Sequence, residues 1–402
     1  MDGVTLPEAE WRRREGLVQL AEVLGASDGL ARFVGGAVRD TLLDIPVADI
    51  DIATRHAPER VIELLRAAGI RAVPTGIEHG TVTAVLESGP VEVTTLRRDI
   101  STDGRRATVA FTDDWREDAA RRDFTMNALY ADPLTGELFD YFGGLADLDA
   151  RRVRFIGDPY QRIAEDHLRI LRFFRFLARF GDAPDPDGLE ACTVRARDLM
   201  ALSRERIADE LLKLLVARDA VRIVALMVER GIFEPVLPEV TAGGAARLAA
   251  LAEAETATGQ PPHAIRRLAA LLPPDASVAE SVGARLKLSN AQRRRLESAT
   301  RPTGDEGARA LAYRIGVEQA IDRHLLAGEP SAIAALASWQ PPALPISGGA
   351  LVDRGLSKGP EVARALRRVE DQWIAEGFPD AARVAAIADD VVGQALREAS
   401  RA

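Results

Sequence analysis

The 402-residue sequence predicts an α/β head with a small sheet, followed by an all-helical remainder. Three observations carry this. Alternating or β-branched runs suited to strands are confined to roughly the first third of the chain. Beyond residue 146, apolar residues recur at helical spacing and no convincing strand appears. The length itself allows two to four structural units.

The elements follow in order. Residues 7–25 read as a helix with Trp11, Leu17, Leu20, Ala21 and Leu24 apolar. RFVGG (32–36) reads as a strand running into a tight turn, and VADIDIA (47–53) alternates as a strand does. PERVIELLRAAG (58–69) is helical with a glycine stop. TVTAVLE (81–87) and VEVTTL (91–96), split by Ser-Gly-Pro, form a hairpin signature. Residues 97–113 are polar and turn-rich and read as a mobile loop, and ELFDYFGG (137–144) supplies a last short strand. A helix runs over 159–181, and a Ser-capped one over 203–215. Residues 220–340 are alanine- and leucine-rich helices, broken by Pro-Pro at 261 and 273 and by TRPTGDEG (300–307). QPPALPIS (340–347) reads as a linker before a final helical unit. The divisions are therefore 1–25, a head over 26–145, then 146–219, 220–340 and 341–402.

Composition narrows the function classes. A formal net charge of −9 counts mildly against a nucleic-acid binder, but phosphate contacts need only a local basic surface. Lysine occurs only at 213, 287 and 358, so nearly all positive charge is arginine, whose fork suits phosphates and base edges. Cys192 is the only cysteine, which excludes an intrachain disulfide and a cysteine metal cluster. The five histidines (56, 79, 167, 263, 324) show no close pairing, which argues against a histidine-ligated metal. The N-terminus lacks a signal-peptide core, and no stretch approaches the roughly 18 apolar residues of a membrane span. A soluble, cytoplasmic protein without a membrane partner is expected.

Several motifs carry chemistry. VGGAVRD (34–40) puts two glycines between a strand and a helix, where backbone N–H groups can approach a phosphate, with Arg39 one turn in. In a strand, Asp49 and Asp51 share a face while Ile50 and Ile52 point to the core. Two carboxylates so placed call for a cation, and hard oxygen ligands select Mg²⁺ or Mn²⁺. Glu92 sits mid-strand between Val91 and Val93, either as a third ligand or facing solvent on an edge. Three such carboxylates could hold two metals roughly 4 Å apart, one activating a hydroxyl and one clamping a leaving pyrophosphate. In RRDFTMNALY (121–130), arginine at a helix start is poorly placed for the dipole, which favours a phosphate or ribose role. Arg97, Arg98 and Asp99 repeat the tripeptide, so the tripeptide alone means little. In EDHLRILRFFR (165–175), Asp166, Arg169, Arg172 and Arg175 follow at steps of three along one helical stripe, with Phe173, Phe174 and Phe176 behind.

The order GGAVRD, DIDIA, HGTVTAV, EVTTL, RRDFTMNALY, GDPYQRIAEDHLRILRFFRF resembles the class II tRNA nucleotidyltransferases. These are CCA-adding enzymes of the DNA polymerase β-like superfamily, relatives of bacterial poly(A) polymerases. The likeness is specific over about residues 31–215, where RERIADEL (204–211) resembles the family's neck motif. It is looser beyond 220, although PISGGALVDRGLSKGPEVARAL (345–366) resembles the tail segment. The resemblance implies a polymerase β-like head with a small mixed sheet and an all-α neck, body and tail. It implies that Asp49 and Asp51 bind Mg²⁺; Glu92 as a further catalytic candidate and a second ion rest on the strand reading above. Gly36 and Arg39 would meet the nucleotide phosphates and Arg122 the bound nucleotide. Asp166 and Arg169 would read the base, with Arg172 and Arg175 supporting the nucleotide.

Hydrogen-bond chemistry fits that assignment. Cytosine and adenine each offer an amino donor beside a ring-nitrogen acceptor, which matches one carboxylate and one guanidinium. Uracil and guanine reverse the order, a mismatch of several kcal/mol that gives roughly 10³-fold rejection. The phenylalanines are expected to pack and fix the helix.

The resemblance also implies its partners: a tRNA 3′ end, CTP and ATP, and no DNA. A loop at 97–113 accompanies the change from C to A addition in this family and favours full CCA synthesis. Poly(A)-forming relatives carry a basic Arg-Phe-type segment where this chain has GIEHGTVTAV (76–85). Poly(A) polymerase, A-only or C-only addition, and a catalytically dead RNA-binding protein are the alternatives. Arginines 151, 152, 154, 162, 195, 197, 204 and 206, and Lys358 before a Pro360-led helix, are candidate RNA-phosphate contacts.

Overall fold

Ile50 and Ile52 are buried while Asp51 between them is partly exposed, the alternation the sequence predicts for the strand that organises the head. The computed structural model describes residues 5–103 and 106–399. The chain divides into two compact units, Met1–Pro238 and Glu239–Ala402.

The first unit opens with a 3-10 turn, Glu10–Arg13, and helix α1, Leu17–Val23. One helix over 7–25 is therefore not formed: Gly16 stands between the pieces at φ +80°, a left-handed conformation that ends a right-handed helix. Strand β1 (Ala31–Val34) leads into α2 (Gly36–Leu42), then come β2 (Asp51–Thr54) and α3 (Pro58–Ala67). Asp49 thus precedes its strand rather than lying within it. Strands β3 (Arg71–Gly76), β4 (Thr81–Leu86) and β5 (Gly89–Thr95) follow, the last two being the predicted hairpin.

Residues 97–111 differ from the expected loop. They form an antiparallel pair, β6 (Arg97–Asp103) and β7 (Arg106–Phe111), registered Arg97 to Phe111; residues 104 and 105 lie outside the described residues. Next come α4 (Trp115–Ala120), β8 (Leu129–Ala131), β9 (Leu138–Asp140), α5 (Gly144–Asp149) and a short β10 (Arg152–Val153). Strands therefore do persist past residue 146, since β10 pairs with a two-residue strand at 183–184. The main sheet runs β3-β4-β5-β2-β1-β8-β9, with β2 and β5 parallel and the rest antiparallel, a mixed sheet as expected.

The long helix expected over 159–181 is two helices, α6 (Pro159–Glu165) and α7 (Arg169–Phe180). Asp166 between them is extended (φ −152°, ψ 107°), and its Oδ1 accepts the Leu168 N–H at 3.1 Å. A short aspartate side chain that takes a backbone donor two residues on competes with helix continuation. Ile170, Leu171, Phe173, Phe174, Phe176 and Leu177 of α7 are buried. Phe173 stacks on Phe155 at 5.5 Å, and Phe124 packs against both, so these rings are core. The short strand is β11 (Ala183–Pro184), followed by α8 (Pro186–Val194), α9 (Arg204–Leu215) and α10 (Ala220–Glu229). Ser203 occupies the N-cap of α9, but its hydroxyl makes no capping bond.

The second unit is helical among its described residues, from Ala242–Ala257 to Ala381–Ala399, and the polar 300–307 stretch falls between two helices as predicted. Arg266 and Arg267 bind Glu255, and Arg266 and Arg295 bind Asp322, a buried ion network across four of its helices. Near its end, Leu351, Val369, Trp373 and Ile387 build a small core of their own.

Candidate active site

Gly35, Gly36, Arg39, Asp51, Arg97, Arg121, Arg122, Asp123, Asn127, Asp166, Leu168, Arg169, Arg172, Phe176 and Arg206 line one cavity of about 540 Å³ in the first unit. Seven of these are arginines and three are aspartates, so a chain of net charge −9 builds a locally basic chamber.

The chamber's floor follows from the Gly-Gly turn. Gly35 adopts φ +69° and ψ −120°, a region essentially closed to residues with a Cβ, and α2 begins at Gly36. Arg39, one turn in, is 6% exposed. Its Nε donates to Asp40 Oδ1 at 2.8 Å, its Nη1 to Asn127 Oδ1 at 2.5 Å, and its guanidinium lies 4.3 Å over the Phe180 ring. Burial pulls its pKa down, against the pull of Asp40.

The carboxylate corner comes from the sheet. Asp51 pairs in register with Glu92 across the parallel β2–β5 pair. Burial, then the Glu92 carboxylate, push the Asp51 carboxyl up to about 6, with Arg122 opposing and Asp49 adding to the rise. Asp49 and Glu92 are exposed, and neither belongs to the cavity lining. Among the described residues no three carboxylate, imidazole or thiol side chains are gathered into a set that could hold a metal unaided. The donors nonetheless fit a hard divalent cation, because a half-buried carboxylate crowded by like charges is relieved by one. Mg²⁺ commonly takes one or two carboxylates and completes its shell with water and substrate phosphate.

The arginine wall begins on α4. Asp118 is 1% exposed and accepts from Arg121 Nε at 2.9 Å and from Arg122 Nη2 at 3.1 Å. Burial would lower the Arg122 pKa, but Tyr130 and Asp118 hold it above the usual guanidinium range. Asp123 accepts from Arg172 Nε at 2.8 Å and from Asn127 Nδ2 at 2.9 Å. Burial raises the Asp123 carboxyl, yet Arg172 and Asn127 hold it below its ordinary value. A continuous polar chain thus runs Arg39–Asn127–Asp123–Arg172.

The base-reading candidates sit at the α6–α7 break. They do not share one helical stripe, since Asp166 is outside the helix that Arg169 begins. Asp166 Oδ2 accepts from Arg206 Nη2 at 2.7 Å. Arg169 Nη1 donates to Glu165 Oε2 at 2.5 Å and to the Arg162 carbonyl at 3.0 Å, and its Nη2 to the Arg121 carbonyl at 3.3 Å. Arg172 lines the cavity, but Arg175 does not: its Nε donates to Glu210 Oε2 of α9 at 2.6 Å. Steps of three drift around a helix of 3.6 residues per turn, which carries Arg175 away from Arg169.

Of the residues the sequence singled out, the cavity gathers Gly36, Arg39, Asp51, Arg122, Asp166, Arg169 and Arg172. The sequence reading missed Arg97, Arg121, Asp123, Asn127 and Arg206 as lining residues. Three of these lie inside RRDFTMNALY, where only Arg122 is assigned to the bound nucleotide from the sequence. Arg206 lies in RERIADEL four residues before Glu210, one turn of the same helix, and that spacing was the available signal.

Residues 31–154 match the family described as "Poly A polymerase head domain", and residues 183–243 match "Probable RNA and SrmB- binding site of polymerase A". A mouse protein named CCA tRNA nucleotidyltransferase 1, mitochondrial, is 35% identical over 396 residues, covering 92% of this chain and 89% of that one. A CCA-adding enzyme of Anoxybacillus flavithermus is 40% identical over 212 residues, 52% of each chain. The crystal structure of the Bacillus stearothermophilus CCA-adding enzyme in complex with CTP superposes with a TM-score of 0.72 at 28% identity, covering 92% of this chain and 94% of that one.

Proposed function

Because this chain belongs to the CCA tRNA nucleotidyltransferase family, we propose that it adds C, C and A to tRNA 3′ ends from CTP and ATP, without a nucleic-acid template. The observation that carries the reading is the arginine-lined chamber, which joins a Gly-Gly turn and a strand carboxylate at one end to Asp166 and Arg169 at the other.

In each cycle the tRNA 3′-oxygen forms a bond to the α-phosphorus of the nucleotide. The bond from that phosphorus to pyrophosphate breaks, and the hydroxyl proton is lost. Gly36, Arg39 and Arg122 bind the triphosphate as donors and positive charge. Asp49 and Asp51, with Glu92 a third candidate, would hold two Mg²⁺ ions, for which Mn²⁺ can substitute. Such cations, when bound, supply Lewis-acid charge at the attacking oxygen and the departing pyrophosphate. Asp166 accepts from the amino group of cytosine or adenine, and Arg169 donates to the adjacent ring nitrogen. Arg169 keeps that capacity because a guanidinium has five N–H donors, and Glu165, the Arg162 carbonyl and the Arg121 carbonyl engage three of them. Arg172 braces the site through Asp123, and Arg175 acts at one remove through Glu210.

A nucleotide-incorporation assay tests this. A tRNA lacking CCA, a tRNA ending in CC and an unrelated oligoadenylate are each offered every nucleotide singly, and CTP with ATP together. Two C and one A added to the first tRNA, followed by a stop, is the expected result. Long adenylate tails on all three RNAs would make the protein a poly(A) polymerase with the same head chemistry.

A further inference from the structure

Asp118 receives four hydrogen bonds and is 1% exposed. Its Oδ1 accepts from Arg121 Nε at 2.9 Å and from the backbone N–H of Arg97 at 3.2 Å. Its Oδ2 accepts from Arg122 Nη2 at 3.1 Å and from the Tyr130 hydroxyl at 2.7 Å. A carboxylate offers about four lone-pair sites, so this one is saturated. Three of the four donors belong to Arg97, Arg121 and Arg122, all of which line the nucleotide chamber. Asp118 itself does not reach the chamber.

We infer that Asp118 is a positioning residue for the nucleotide, holding the Arg121–Arg122 pair and the first amide of the β6–β7 hairpin as one unit of the chamber wall. The inference rests on the reading of that chamber as the nucleotide site.

Two consecutive guanidiniums aimed at the same cavity repel, and a buried carboxylate between them lets both stay. Burial alone would raise its pKa, but Arg122, Arg121 and the Tyr130 hydroxyl hold it well below the usual carboxylate range, so the charge is permanent. One net positive charge remains on the trio to face phosphate. Because β6 starts at Arg97, a movement of the hairpin root pulls on the same carboxylate that fixes Arg121 and Arg122. A carboxylate kept only for packing would not need donors that converge from the cavity side.

The test is steady-state kinetics on the full chain with Asp118→Asn, Arg122→Gln and the double variant, with circular dichroism to check folding. Loss of folded protein lowers the active fraction, so kcat falls and KM stays. Loss of positioning raises KM. Expected for Asp118→Asn is a KM for CTP and ATP about tenfold higher or more, with kcat changed less than KM. The double variant should fall well short of the product of the two single effects, because the Asp118–Arg122 contact is shared between them, while Arg121 and the Arg97 amide still depend on Asp118. If Asp118→Asn does not fold, Asp118→Glu, which keeps the charge and displaces it by one methylene, decides with the same KM readout. An unchanged KM with reduced kcat, or effects that multiply in the double variant, overturns the inference. If Arg122→Gln leaves KM unchanged, the nucleotide-site reading fails. If Arg122→Gln raises KM and neither Asp118 variant does, only the Asp118 inference fails.

Discussion

Arg206 donates from Nη2 to Asp166 Oδ2 at 2.7 Å, tying α9 to the break between α6 and α7. With the Leu168 N–H on Oδ1, both oxygens of Asp166, the carboxylate proposed to read the base, are held in one rotamer. Asp166→Ala should therefore abolish the preference for CTP over UTP. Arg206→Ala, which leaves the carboxylate but frees it to turn, should weaken that preference about tenfold, measured as the ratio of kcat/KM values. Undiminished rejection of UTP by Asp166→Ala would refute the template reading.

Asp49 is exposed and precedes β2, so its side chain contributes little to folding. Asp49→Ala should leave the melting temperature within a few degrees of the parent and lower transfer at least about 10³-fold. Metal-dependent transfer near the parental rate would remove Asp49 from the metal site.

Asp51 gives a pH prediction. Its carboxyl titrates at about 6 in the folded protein against 3.8 for the free group, so the folded state binds more protons between these values. Stability without metal should be greatest at the acid end of that window and fall as pH rises through it, by roughly 3 kcal/mol. Asp51→Asn should remove that slope and stabilise the metal-free protein near neutral pH while abolishing transfer. A divalent cation needs the ionised carboxylate, so the rise in melting temperature on adding Mg²⁺ should be larger above pH 6 than below it. An equal Mg²⁺ response on both sides of the window would contradict the assignment.

How far the sequence could be read depended on whether a feature was local. The alternation Ile50-Asp51-Ile52 is a period-two pattern, and it placed both the strand and the outward carboxylate before any contact was known. The Gly-Gly pair announced a turn, and it is Gly35, at φ +69°, that needs glycine there. Misreadings arose where one side chain overrode a regular period. Apolar spacing through 159–181 is helical throughout, yet the Asp166 side chain takes the Leu168 N–H and splits it. Polar residues at 97–113 concealed an antiparallel ladder, because backbone pairing does not require an apolar sequence. The unread part of the site is long-range: Arg206 meets Asp166 from 40 positions away, and Arg39 meets Asn127 from 88. No linear spacing reports such encounters.

Gly35→Ala tests whether the chamber depends on its floor. At φ +69° and ψ −120° an L-residue is strained whatever space surrounds it, at a cost of roughly 1–3 kcal/mol. A Cβ here would stand 3.5 Å from Arg122 Nη1 and 3.7 Å from the Asn127 carbonyl, ordinary contact distances, so crowding is a minor part of the cost. The strain is relieved by rotating the peptide that feeds α2, and that rotation moves the Gly36 amide and the base of Arg39. Gly35→Ala should therefore lower the melting temperature modestly and raise KM for both CTP and ATP, because the triphosphate contact is common to them. CTP-over-UTP discrimination should persist, since Asp166 and Arg169 are held by Arg206, Glu165 and Arg162 rather than by the turn. A variant that loses base discrimination while keeping its KM values would mean that the turn supports the base-reading end of the chamber instead.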